Sequence, residues 1–216
     1  MGIYSIVAFF QKGGMFMYPI LLVFTVGMSI AIERWVQLSR TRVKNSKVWE
    51  QIQPVLADGE FERAREMVDE DQSTISRMLS MGLARQGAVR RREDIEIAME
   101  ESMMEIIPQL EKRTPYVALL SNIATLLGLL GTIMGLIEAF TAVANANPAE
   151  KADLLSASIS VAMNTTAFGL MAAIPLMLIH AKLTSTTGQI VDSLEMASVK
   201  ALNSITNFAK RQHPMS

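Results

Sequence analysis

Thr132 and Glu138 stand in the run LLGLLGTIMGLIEAF, Leu126 to Phe140, and Asn164, Thr165 and Thr166 stand in SVAMNTTAFGLMAAIP, Ser160 to Pro175. Apolar and small residues surround all five. In such a setting a hydroxyl can donate or accept a hydrogen bond, an amide can do both at once, and a carboxylate can hold either a charge or a proton. By type and setting, the set could line a polar surface within an apolar segment. Other chemistry finds no support in the residues. The chain has no cysteine, so thiol catalysis, disulfides and thiolate metal sites are excluded. His180 and His213 lie far apart without ligand spacing, and no Gly-Lys dipeptide exists to form a phosphate loop. The glycines from Gly128 to Gly135 mimic a glycine-rich loop while lying in an apolar helical run. The expectation is a protein that is not an enzyme and holds no metal or organic cofactor.

Small residues accompany these polar ones at helical spacing. Ser121, Thr125, Gly128, Thr132, Gly135, Ala139 and Ala142 recur at intervals of 4 and 3, and Ser158, Ala162, Thr165, Gly169 and Ala172 do the same. Spacing of this kind places each set on one stripe of a helix. Two readings are open. Small residues let membrane helices approach closely, which suffices for Gly128, Gly131, Gly135 and Gly169. It explains less well the threonines, Asn164 and Glu138, because a carboxylate at the membrane centre costs ~2.5 to 3.5 kcal/mol and usually faces an interior or water. A surface lined with polar groups is the alternative.

The elements that must position these residues are legible from charge and hydropathy. Half of the 216 residues are hydrophobic, the mean hydropathy is +0.27, and no charge falls in Gly13 to Ile32, Thr114 to Ile137 or Leu154 to Ala181. A membrane helix needs roughly 20 apolar residues to cross a hydrocarbon layer ~30 Å thick. All three runs qualify. The first lacks the basic start and small-residue cleavage site of a signal peptide and is read as a retained span. Arg34, Arg40, Arg42, Lys44 and Lys47 follow the first span, Lys112 and Arg113 precede the second, and Lys182 ends the third. Only Lys12 precedes the first span, and only Lys151 lies between the second and third. Basic residues are retained on the cytoplasmic side. The expected order is therefore an external segment at 1–12, spans at 13–33, 114–143 and 154–181, an external loop at 144–153, and cytoplasmic segments at 34–113 and 182–216.

The cytoplasmic segments read as helices. Ile75, Met78, Leu79, Gly82 and Leu83 follow a 3,4 spacing, as do Ile95, Ala98, Met99, Ser102, Met103, Ile106 and Leu110, and Ile190, Leu194, Ala197, Ala201, Ile205 and Phe208 continue it after the third span. Gly59 in LADGEF suits the left-handed cap of a helix end. RRRED, Arg90 to Asp94, could touch lipid headgroups or a partner but is read as solvated helix surface. The 16 methionines are read as adaptable packing rather than a metal path. A net charge of −1 argues against nucleic acid as a partner. The predicted fold class is all-α: an integral membrane protein with three transmembrane helices, lipid around them, and long helical cytoplasmic extensions.

The strings LGLLGT followed by glycine and TTAFGL followed by AAIP resemble the last two membrane helices of the MotA/TolQ/ExbB family. These are ion-channel subunits of bacterial motors driven by the protonmotive force. Three spans with an external N-terminus are similar to the TolQ/ExbB branch, since flagellar members have four. The resemblance implies a homopentameric ring in the bacterial inner membrane, N-terminus periplasmic and C-terminus cytoplasmic. It also implies a dimeric single-span partner of ExbD or TolR type, whose membrane aspartate carries the coupling ion, H⁺ or in its place Na⁺. A TonB- or TolA-type protein would complete the system, whose task would be TonB-dependent outer-membrane import. A TolQ-like role in envelope maintenance, or a non-conducting scaffold for a partner helix, is the alternative.

Thr132 and Thr166 match the threonines that face the partner's aspartate in the family, with Thr165 and Asn164 beside them. One departure stands out. Relatives of ExbB type commonly carry a glutamate five residues before the position of Thr166, and this chain has Val161 there. Glu138 in turn stands near the outer mouth, where relatives tend to be neutral. It either gathers cations or is a snorkelling or partner-paired carboxylate.

Overall fold

Backbone N–H and C=O groups in hydrocarbon must be paired within the segment, and a helix does this without help from neighbours. The computed structural model describes residues 14–86 and 92–212, and among them it contains helices and no strand. In order these are α1 (Met17–Ala57), α2 (Phe61–Asp69), α3 (Thr74–Arg85), α4 (Arg92–Glu111), α5 (Thr114–Asn145) and α6 (Lys151–Gln212). Segment 1–12 with Lys12, residue 13, Arg90, Arg91 and His213 lie outside the described residues. Three helices are long and apolar enough to cross a membrane: α1, the stretch containing α5, and α6. Only 28% to 33% of each apolar window is buried. Leu126, Ile137, Phe140, Met163 and Leu178 are among the large side chains left exposed, as expected where the surroundings are lipid or other copies rather than water.

The chain divides into two units. One comprises the beginning of α1 to Arg34 and residues 113–182. Ile20, Ala124, Ala172 and Ala173 form its buried centre, with Val23, Phe24, Leu127 and Phe168 packed around them. Its charged edge is tied by Arg113, whose Nη1 donates to both carboxylate oxygens of Glu33 at 3.0 and 2.9 Å. Arg113 itself adopts φ 66°, a left-handed conformation rarely taken by a residue with a side chain. This lets α4 end and α5 begin within three residues, and Pro115 falls in the first turn, where its missing N–H costs nothing.

The other unit comprises residues 35–112 and 183–216. All five positions of the Ile75 to Leu83 pattern are buried, and so is the Ile95 to Leu110 pattern apart from half-buried Met103. Gly59 takes φ 80°, as its place after α1 predicts, and a side chain there would run into the ring of Phe208. That ring packs edge-on to Phe61 at 5.3 Å. Ser198 reaches the Met99 sulfur at 3.6 Å, so the later part of α6 packs on α4.

Asp71 holds the start of α3. It accepts from Lys44 at 2.8 Å, from the Ser73 backbone N–H at 2.9 Å and from Ser76 Oγ at 2.8 Å, while buried Asn45 of α1 bonds Thr74 at 2.7 Å. Burial alone would raise the Asp71 carboxyl, but the bonds from Lys44, Ser73 and Ser76 outweigh it and hold the group well below the usual carboxylate range. A lowered carboxylate stabilises the fold fully above its unfolded value of ~3.9, and that contribution is lost as pH falls through the folded value. Asp71→Asn is expected to cost about 1 to 3 kcal/mol, the scale of hydrogen bonds to a charged group. In thermal unfolding of the purified chain the deficit should be constant from neutral pH to about pH 4 and shrink below it. A deficit independent of pH would contradict this account of Asp71.

Candidate functional site

The meeting of α5 and α6 is made by glycine. A Cβ on Gly169 would lie 2.8 Å from the Ala124 carbonyl oxygen and 2.9 Å from the Gly128 Cα, so the two backbones touch directly. Two further contacts continue the seam. A Cβ on Gly131 would run into the Thr165 methyl, and one on Gly135 would stand 3.0 Å from the Ala162 Cβ. Ser121 closes the other end, its buried hydroxyl donating to the Ala173 carbonyl at 2.8 Å.

Close backbone approach sets the positions of the threonines. Thr132 Oγ1 lies 3.3 Å from the carbonyl oxygen of Gly128 and 3.2 Å from that of Ala162, across the seam. Thr166 Oγ1 is 3.1 Å from the same Gly128 oxygen. The two hydroxyls also hydrogen-bond each other. Both residues are half-buried. Thr132 and Thr166 thus form one polar pair, one from each helix, in otherwise apolar surroundings. Each hydroxyl has a single proton and two lone pairs, so with one proton between the two hydroxyls and the other turned to a carbonyl the pair still offers acceptor capacity, and rotation of one hydroxyl offers a donor.

The other candidate residues are not gathered there. Thr165 is buried, its hydroxyl 3.0 Å from the Val161 carbonyl and its methyl against Gly131, which makes it part of the packing. Asn164 is half-buried, and two residues of helix turn it ~200° away from Thr166. Glu138 is exposed, six residues beyond Thr132 and so ~9 Å further along α5. Val161 packs close to Gly14, where a Cβ would stand 3.2 Å from its methyl.

The face that α5 buries differs from the small-residue stripe in the sequence. Val117, Ser121, Ala124, Gly128, Gly131 and Ala139 are buried, whereas Thr125 and Ala142 are exposed. Ser121, Gly128 and Ala139 belong to both sets, but between them the contact runs through Ala124 and Gly131, each one residue and so ~100° round the helix from Thr125 and Thr132. The smallness of Ala124 and Gly131 was visible in the sequence, but their neighbours Thr125 and Thr132 fitted the repeat better. The Glu33 to Arg113 pair was likewise missed, though opposite charges flanking the first two spans were its signal. Among the described residues no group of acidic or histidine side chains could hold a metal ion.

The model of the MotA/TolQ/ExbB proton channel family matches residues 70–196, which include both threonines and the whole seam. An ExbB homolog of Methanothermobacter thermautotrophicus is 26% identical over 194 residues, covering 89% of this chain and 67% of that protein. An ExbB-like protein of Synechocystis is 28% identical over 189 residues, 85% of this chain and 72% of its own length. The Tol-Pal system protein TolQ of Haemophilus influenzae is 30% identical over 115 residues, 53% of this chain and 48% of TolQ. With the family model covering more than half of an all-helical chain that has three helices fit to span a membrane, the protein belongs to the MotA/TolQ/ExbB proton channel family, and its named relatives place it on the ExbB/TolQ side.

Proposed function

We propose that this chain is the ring-forming subunit of an inner-membrane motor driven by the protonmotive force. Five copies surround the single membrane helices of a dimeric ExbD/TolR-type partner, and ion flow is coupled to work across the envelope, in this reading TonB-dependent import. The observation that supports it most is the Thr132–Thr166 pair: two hydroxyls joined across the glycine seam, half-buried, with hydrogen-bonding capacity to spare. A carboxylic acid arriving on a partner helix would be neutral for lack of water, because desolvation penalises its charged form. The pair accepts from the protonated acid and, with one hydroxyl turned, donates to the carboxylate, so the coupling ion can leave and return without a water shell. Glu138, in the exposed outer part of α5, concentrates cations by its charge.

Two measurements test the reading. The chain, copurified in mild detergent with a single-span protein bearing a membrane aspartate, should give a native mass of five copies plus two partners. A stable monomer in several mild detergents would overturn it. Orientation is tested in intact cells, where a single cysteine replacing Ala149 should react with an impermeant maleimide and one replacing Glu66 should not. The reverse pattern would invert the topology.

A further inference from the structure

Two exposed stripes of the unit comprising residues 35–112 and 183–216 carry complementary charge. On α1, Val36, Arg40, Val43 and Lys47 follow at intervals of 4, 3 and 4, and all four are exposed while Leu38 and Asn45 are buried. On α4, Glu93, Ile97, Glu100 and Met104 follow at the same intervals, exposed, with Ile95, Ala98, Met99 and Ser102 buried. The apolar members stand well out: Val36 is 42% exposed, Val43 54%, Ile97 51% and Met104 72%. None of the four charged side chains forms an ion pair among the described residues.

A single exposed apolar residue needs no explanation. Here apolar residues recur every seventh position and alternate with charges of one sign, positive on α1 and negative on α4. That is the pattern by which helix faces select each other, apolar knobs giving contact and flanking charges giving choice of partner and register. Both stripes are exposed in the same chain, so neither covers the other. Since one chain carries both halves of the match, a second copy of it is the partner that supplies the complement.

We propose that the α1 stripe of one copy packs antiparallel against the α4 stripe of its neighbour. The proposal rests on the ring reading above and names the surfaces that close the ring outside the membrane. Two different surfaces meeting head to tail generate a ring when the rotation closes. Read in opposite chain directions, the equal spacings set Lys47 beside Glu93, Val43 beside Ile97, Arg40 beside Glu100 and Val36 beside Met104. A slip of one heptad sets Val43 beside Met104 and Lys47 beside Glu100, preserving the match of type.

The absence of native cysteine makes disulfide cross-linking specific. Chains with Val43→Cys under one tag are coexpressed with chains carrying Ile97→Cys or Met104→Cys under another, and membranes are oxidised. A covalent dimer bearing both tags is expected with one of the two α4 positions, and none with Glu66→Cys on exposed α2. Arg40→Glu with Lys47→Glu should lower the yield roughly tenfold, the effect of ~1.4 kcal/mol, and Glu93→Lys with Glu100→Lys in the other chain should restore it. If native mass shows a ring and Val43→Cys cross-links no better to α4 than to Glu66→Cys, or if charge reversal changes nothing, this pairing is overturned while the ring stands. A monomeric wild-type chain would overturn both.

Discussion

Replacing Gly169 by leucine is expected to abolish assembly of the membrane unit. At this position an added Cβ meets the Ala124 carbonyl oxygen and the Gly128 Cα, both backbone atoms. A flexible side chain could turn aside, but two helix backbones can only move apart. Overpacking costs about 1 to 3 kcal/mol where side chains can adjust, and backbone separation puts this case at the upper end. Moving the helices apart would also break the bonds of Ser121 to Ala173 and of Thr132 to Ala162, which depend on the same approach. Gly169→Ala should show an intermediate loss. Gly188, whose added Cβ would meet nothing within 4 Å, serves as control. Gly188→Ala should assemble as the wild type does and gain slightly in stability, because alanine is the better helix former by ~1 kcal/mol. The readouts are melting temperature and the fraction of assembled ring in detergent. A Gly169→Leu protein that assembles and melts like the Gly188→Ala protein would show that the seam does not hold the unit together.

The threonine pair gives the second large effect, on coupling rather than assembly. Valine keeps the shape and β-branching of threonine and removes only the hydroxyl. If Thr132 and Thr166 merely pack, their loss is small, since hydrogen bonds between membrane helices average ~0.6 kcal/mol. If they serve a partner carboxyl, each hydroxyl is one of few groups available to its charged form. Losing a bond of that kind costs about 1.5 to 3 kcal/mol, a tenfold or greater drop in the charged population. Thr132→Val and Thr166→Val are therefore expected to copurify with the partner yet lose most energy-coupled transport. Serine at either position keeps the hydroxyl and should retain much of it. Glu138→Gln should act more mildly, shifting the dependence on salt, because screening weakens an exposed charge. Normal transport by both valine variants at native expression would reduce the pair to packing.

The helices were legible because uncharged runs of membrane length and a 3,4 spacing of apolar residues are properties of composition and period. Gly59 was legible too: a left-handed cap demands it locally. The threonine pair was legible as two polar residues at similar depth, and the structure joins them directly. What was not legible depended on the rotation of one helix against another. Thr165 and Asn164, adjacent to Thr166 in the chain, point ~100° and ~200° away from it, and only packing decides that Thr165 fills the space beside Gly131. The same holds for Thr125, small and in register yet exposed, and for Ala124, which took its place. The charge stripes on α1 and α4 were hidden for another reason. Residue types gave the charges, but their shared spacing matters only once both stripes are known to face outward.

The claim at the centre of this account is that hydroxyls at the α5 and α6 seam serve ion flow through a partner-filled ring, and proton flux tests it most directly. The chain copurified with its single-span partner is placed in liposomes with a pH-sensitive dye inside, and a membrane potential is imposed. The account predicts a proton flux that requires the partner, falls to background when the partner's membrane aspartate becomes asparagine, and falls likewise with Thr132→Val or Thr166→Val in an intact ring. A flux of wild-type size from intact rings of both valine variants would contradict it, as would the absence of any flux from the wild-type complex.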